Sequence, residues 1–167
     1  DVVLTAAGSP VGLSAAPVNP TARQAFMQYL GPITGPMPQG VEYAGFGEYM
    51  ALLAQTPLPL NVGMLVGSGT LRACAAGFAK PLLESADLAH LHRQLEEALD
   101  AGAFGVSVGL GYLPDGHYTP ESMAQALAPI AGAGLPITVH VRGEGDLLYQ
   151  SVQEMLLAAR LLNAPLE

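Results

Sequence analysis

Apolar and polar positions repeat with two different periods along this chain, and the switches between them mark its elements. The stretch "PITVHVR" (136–142) has the period of two of a strand. Ile137, Val139 and Val141 fall on one face, and Thr138, His140 and Arg142 on the other. The apolar, β-branched face suits packing against helices. The polar face would look toward the carboxyl end of a sheet, where parallel α/β proteins keep their chemistry. Three more apolar runs read as strands: 1–7 ("DVVLTAA"), 59–67 ("PLNVGMLVG") and 102–110 ("GAFGVSVGL").

Between these runs the period lengthens to that of a helix. A helix opened by Ser85 or Asp87 runs to about Leu99, with Leu88, Leu91, Leu95, Ala98 and Leu99 as its stripe. Another covers roughly 147–162, with Leu148, Val152, Met155, Ala159 and Leu162 on one face. Thr119 followed by Pro120 is an N-cap and first-turn pair for a helix to about Ala131. Shorter helices are expected from Thr21 to Leu30 and over 46–55. Residues 8–20 and 31–40, rich in Gly, Ser and Pro, read as loops, and the Ala-rich stretch after Gly67 as a connection.

Strands alternating with helices imply an α/β fold whose parallel strands are joined by crossover helices. One domain over 1–167 is expected. Four βα units make half of a (β/α)8 TIM barrel, and an open doubly wound sheet fits the same pattern.

The candidate chemistry is sparse. His140 and Arg142 at a strand end admit two accounts: a site, or a structural histidine beside an Arg142–Glu144 ion pair. His90 and His92 point to different sides of one helix, off its stripe, and read as solvent-exposed. His117 sits in the turn "PDGHY" without a partner at ligand spacing. "VGSGT" (66–70) lacks the third glycine and the Lys-Ser/Thr ending of a phosphate loop. "GLSAA" (12–16) lacks the second glycine of a nucleophile elbow around Ser14.

Composition narrows the partners. Six Lys+Arg against fourteen Asp+Glu leave a net charge of −8, which disfavours nucleic acid and anionic membranes. No apolar run is long enough to span a membrane, and no basic segment precedes an apolar leader. Cys74, the only cysteine, excludes an internal disulfide and a Cys-rich metal site. A reducing, cytoplasmic setting is expected. The abrupt start and stop at "DVVLTAAG" and "LLNAPLE" suggest a piece of a longer polypeptide.

Four motifs occur in order and at natural spacing: "FGEYMALL", "PLNVGMLVGSGTLR", "GAFGVSVGLGYLPDGHYTPESM" and "ITVHVRGEGD". Together, over nearly the whole of Asp1–Glu167, they resemble the N-acyl-D-amino-acid deacylases (D-aminoacylases) of the amidohydrolase superfamily. The resemblance implies a zinc-dependent (β/α)8 barrel that hydrolyses N-acyl-D-amino acids to a carboxylate and a free D-amino acid. It implies that this chain runs from the second barrel strand to the helix after the fifth. His140 then stands as a zinc ligand at the end of the fifth strand. Tyr112 matches a tyrosine lining the substrate pocket, and Arg142 orders the metal-side loop or meets a carboxylate.

The departures are equally specific. The family's His-x-His pair, its next metal histidine and its catalytic aspartate all fall outside the chain, so no catalytic residue is assigned within it. Val11 occupies the position of a metal-ligating cysteine, and Ser68 that of a histidine in "VGHG". The expectation is therefore a segment of a deacylase barrel, inactive alone, with two open sheet edges that invite self-association or union with the rest of a barrel. A degenerate barrel kept for binding or assembly is the first alternative. A dihydroorotase- or hydantoinase-like enzyme is the second, weakened because the only lysine, Lys80, lies in a loop rather than at a strand end where it could bridge metals. A flavodoxin-like domain is the third, and "AAGSPVG" is a poor flavin loop.

Overall fold

The structure, a computed structural model, describes residues 45–59 and 61–167, the backbone of 4–7, and residues 24, 25, 28, 29 and 32. Val11, Ser14 and the expected loops at 8–20 and 31–40 lie outside the described residues, apart from residue 32. Of the expected Thr21–Leu30 helix, only Gln24, Ala25, Gln28 and Tyr29 are described, and these are helical.

Strands and helices alternate along the described chain, apart from one pair of successive strands and one pair of successive helices. Strand β1 (Leu4–Ala7) precedes helix α1 (Phe46–Gln55) and strand β2 (Asn61–Met64). Strand β3 (Val66–Gly67) leads into α2 (Ser68–Ala76) and α3 (Ser85–Asp100). Strand β4 (Val106–Gly109) is followed by α4 (Pro120–Ala126), and β5 (Ile137–His140) by α5 (Leu148–Leu162).

Every strand pairing is parallel. β1 pairs with β2 in a two-stranded sheet, and β3, β4 and β5 pair in that order in a three-stranded one. Residues 59–67 were expected as one strand. They form two, separated by Leu65, because the first part pairs with β1 and the second with β4. Beyond α5, Leu166 bridges Ile137 in parallel, and Ile137 N donates to Pro165 O at 2.9 Å. A further parallel neighbour thus begins on the far edge of β5. This succession is that of a partial (β/α)8 barrel.

The core lies between the sheet and its helices. Val106, Val108 and Ile137 on one strand face meet Leu91, Leu95 and Ala98 of α3 and Met155, Ala158 and Leu162 of α5 in one buried cluster. The α3 stripe is as its spacing predicts. The α5 stripe is rotated: Ser151, Met155, Ala158, Ala159 and Leu162 are buried, while Leu148 and Val152 stay exposed. The rotation has a polar cause. Ser151 Oγ accepts the Gly143 amide at 3.1 Å, which draws that face toward the end of β5.

The connection expected after Gly67 is instead the helix α2. Seven of its nine residues, Ser68 to Cys74, are buried, so it shows no amphipathic stripe to betray it. Gly105 fixes the entry to β4. Its φ is +151°, and an added Cβ would lie 2.3 Å from Pro136 O. This close approach, with the Gly102 turn at φ +92°, delays β4 to Val106 rather than residue 102.

Candidate functional site

Parallel strands aligned side by side bring their carboxyl ends to one face, and the sequence candidates gather there. Gly109 at the end of β4 is in register with His140 at the end of β5. Leu110 N donates to His140 O at 2.9 Å, which carries the pairing one residue further. The chain then turns, and Tyr112 returns over the strand ends. Its ring centroid lies 5.1 Å from that of His140, with the planes tilted by 45°. A Cβ added at Gly111 would lie 3.5 Å from His140 Cδ2, at ordinary contact distance, so the turn passes close to the imidazole. Tyr112 remains exposed and His140 half-buried.

Arg142, two residues past His140, points elsewhere. Its Nη2 donates to Glu154 Oε1 at 2.7 Å and to Tyr118 O at 2.6 Å, and its Nη1 to Gly116 O at 2.7 Å. Nε reaches both carboxylate oxygens of Glu154, at 3.1 and 3.2 Å. The carboxylate it meets is therefore Glu154 on α5, not the nearby Glu144. A planar fork with several fixed donors suits such a clamp, which ties the turn after β4 to the helix after β5.

The same turn is held from below by a buried polar cluster. Asp115 is fully buried. Its Oδ1 accepts from Ser68 Oγ at 3.0 Å, and its Oδ2 from the Gly109 amide at 3.0 Å. Burial pushes its carboxyl up to about 7, against the opposing pull of those two donors, Arg72 and the Gly69 amide. Tyr118 is also buried, and burial followed by the Asp115 charge pushes its phenol up to about 12. Arg72, 1% exposed, stacks its guanidinium 4.4 Å from the Tyr118 ring centroid. Its Nη2 donates to the carbonyls of Lys80 and Pro81 at 3.0 and 2.8 Å.

The remaining histidines stay apart from this place. His92 and His90 are half-buried rather than solvent-exposed, because α3 packs beside α4 and the His92 ring lies 2.9 Å from Gln125 O. His117 places Nε2 3.3 Å from Phe78 O. Among the described residues no three His, Cys, Asp or Glu side chains converge as a metal site. His140 supplies one imidazole, and a catalytic zinc needs about three protein ligands. The described donor set alone does not fit the metal. Cys74 is buried. No described helix is long and apolar enough to cross a membrane.

Sequence reasoning named His140 and Tyr112 as candidates and did not single out Asp115, Ser68 and Arg72 as one cluster. An acid inside "PDGHY" carries no sign of burial, and the Ser68–Asp115 contact spans 47 positions.

Comparison with known proteins gives a consistent set. No family model matches the chain. It is 33% identical over 153 residues to N-acyl-D-aspartate deacylase of Alcaligenes xylosoxydans xylosoxydans, covering 91% of this chain and 30% of that protein. It is 38% identical over 111 residues to N-acyl-D-glutamate deacylase of the same organism, covering 66% and 22%. The chain thus spans about a third or less of the length of the curated relatives it matches. Among solved structures, a D-aminoacylase described as defining a subset of amidohydrolases superposes with a TM-score of 0.80 at 26% identity, covering 99% of this chain and 34% of that one. N-acyl-D-glutamate deacylase from Bordetella bronchiseptica, complexed with zinc and a phosphonate mimic of the tetrahedral intermediate, gives 0.77 at 26% identity, covering 98% and 33%.

Proposed function

The chain belongs to the N-acyl-D-amino-acid deacylases (D-aminoacylases) of the amidohydrolase superfamily, as a segment of their barrel, and on that premise we propose that residues 1–167 form one partial-barrel domain that supplies a ligand and a pocket wall to a deacylase site. The observation that carries this reading is the approach of Tyr112 to His140 at the carboxyl ends of adjacent parallel strands.

In this reading His140 offers its imidazole to zinc, and the other ligands come from outside the described residues. Tyr112 lines the pocket that takes an N-acyl-D-amino acid. Arg142 acts beside the substrate rather than on it, by holding the Gly116 and Tyr118 carbonyls so that the turn bearing Tyr112 keeps its place. Zinc, when bound, would acidify a water and polarise the acyl carbonyl. The net reaction is hydrolysis to a carboxylate and a free D-amino acid. The chain alone is inactive, since one imidazole does not hold a catalytic zinc. Its sheet edges pair with a second copy or with the rest of a barrel. The setting is cytoplasmic, and neither nucleic acid nor membrane is a partner.

A second reading has one observation in its favour. Ser68 stands where the family pattern carries a histidine, and its hydroxyl is committed to Asp115. That favours a barrel kept as scaffold. A chimera separates the two: residues 1–167 replace the matched 153-residue stretch of the N-acyl-D-aspartate deacylase. The deacylase reading expects zinc-dependent release of D- but not L-amino acids, lost on His140→Ala. A folded chimera that binds zinc yet is indifferent to His140 would refute it.

A further inference from the structure

The buried cluster under the Tyr112 turn has no role in the reading above, and its geometry is that of a tie. Ser68 and Gly69 open α2, Gly109 closes β4, and all three address the one carboxyl of Asp115. The turn is short and closed on itself. Tyr112 N donates to Gly109 O at 3.1 Å, Gly116 N to Tyr112 O at 2.6 Å, and Tyr118 N to Asp115 O at 2.9 Å. Asp115 thus anchors the same closed turn that carries Tyr112, alongside the Arg142 clamp.

Among the described residues the charged and titratable groups around Asp115 are few. From α2 there is Arg72, and from the turn itself Tyr118, with His117 turned away to Phe78 O. From β4 there is only the Gly109 amide. On the far side of the turn Arg142 and Glu154 hold its carbonyls.

We propose that Asp115 is a positioning residue for the site, a latch whose carboxyl holds the Tyr112 turn down on the ends of β3 and β4 and whose ionisation loosens that hold. The proposal deepens the deacylase reading and rests on it for the role of Tyr112. The physical basis is desolvation. With the turn closed, Asp115 has no water, and burial raises its carboxyl to about 7. With the turn open, the carboxyl meets water and returns to its ordinary range near 4. The closed form therefore binds the proton more tightly. Its advantage is fully present below the ordinary carboxylate range, falls as pH rises, and reaches its floor above 7. Within that window the closed-to-open ratio changes about tenfold per pH unit. The Ser68, Gly109 and Gly69 donors keep the ionised form from being costlier still.

Amide hydrogen exchange of residues 110–118, followed from pH 5 to 8 on the metal-free chain, tests this once intrinsic exchange rates are divided out. The opening of the Gly116 and Tyr118 amides should rise about tenfold per unit up to pH 7 and then level off. Asp115→Asn should give a flat profile. Ser68→Ala should keep the rise but move the level-off to higher pH, and it carries the test if Asp115→Asn fails to fold. A flat wild-type profile, a rise that survives in Asp115→Asn, or no displacement in Ser68→Ala would each overturn the latch. No metal or substrate enters this measurement. The latch can therefore fail while the chimera works, and the chimera can fail while the latch holds.

Discussion

Replacing Arg72 by methionine removes a buried charge from the floor of the candidate site while keeping an unbranched apolar stem. The guanidinium makes two hydrogen bonds to carbonyls and one stacked contact with Tyr118. Hydrogen bonds from a charged group contribute about 1.5–3 kcal/mol each, and a desolvated cation–π contact about 2. The gross loss is therefore about 5–8 kcal/mol. Against it stands the desolvation penalty of several kcal/mol that Arg72 carries at 1% exposure, with Nε left unpartnered. Pro81 is exposed and Lys80 half-buried, so water can reach the abandoned carbonyls. A net cost of about 3 kcal/mol results, at the lower end for breaking a buried charged arrangement.

The pH dependence of that cost is the sharper part. Arg72 attracts the ionised Asp115 carboxylate and lowers its pKa. Below pH 7 the native carboxyl is protonated and the attraction matters little. Above 7 it is ionised and the loss of Arg72 is felt in full. Urea unfolding followed by circular dichroism at pH 5 and pH 8 measures both costs. Arg72→Met should cost more at pH 8 than at pH 5, and Arg72→Lys, which keeps the charge, should remove that difference while recovering only part of the hydrogen bonding. A cost under about 1 kcal/mol at both values, or equal costs at the two, would refute the argument.

Three further outcomes follow from other parts of the fold. Leu91→Ala, at a fully buried position between α3 and the sheet, should lower stability by about 3–4 kcal/mol, read from the urea midpoint at constant slope. Gly105→Ala should be at least as damaging, since the new Cβ meets backbone at Pro136 and the φ of +151° is strained for any side chain, and a loss below about 1 kcal/mol would show that the β4 entry is softer than it looks. Glu154→Gln should weaken the Arg142 clamp by about 1 kcal/mol, a modest figure because the pair is partly exposed, with faster exchange of the 116–118 amides as its local sign.

The alternating residues of 137–140 and the period of 148–162 announced their elements because apolar side chains recur on one face of each. Where both faces are dry the signal vanishes. Ser68–Ala76 carries Ser, Gly, Thr and Cys, which are weak helix formers, and tertiary burial imposes the helix. Helix α5 showed its length but not its rotation, because the Ser151–Gly143 bond that sets its buried face joins residues outside any apolar stripe. Arg142 gave a similar lesson. Proximity along the chain favoured Glu144, but the folded partner is Glu154, brought back by the first turns of α5. His140 and Tyr112 were named through their resemblance to family motifs, and the fold sets their rings side by side. Asp115 had neither periodicity nor motif to mark it, because what distinguishes it is its complete burial by residues distant in sequence.

The approach of Tyr112 to His140 is the geometry on which the site depends, and aromatic nuclear Overhauser spectroscopy of the chain measures it directly. Ring centroids 5.1 Å apart predict cross-peaks between the Tyr112 ring protons and His140 Hδ2, absent in Tyr112→Leu and in His140→Gln. Well-resolved, assigned signals from both rings with no cross-peak between them would contradict the account.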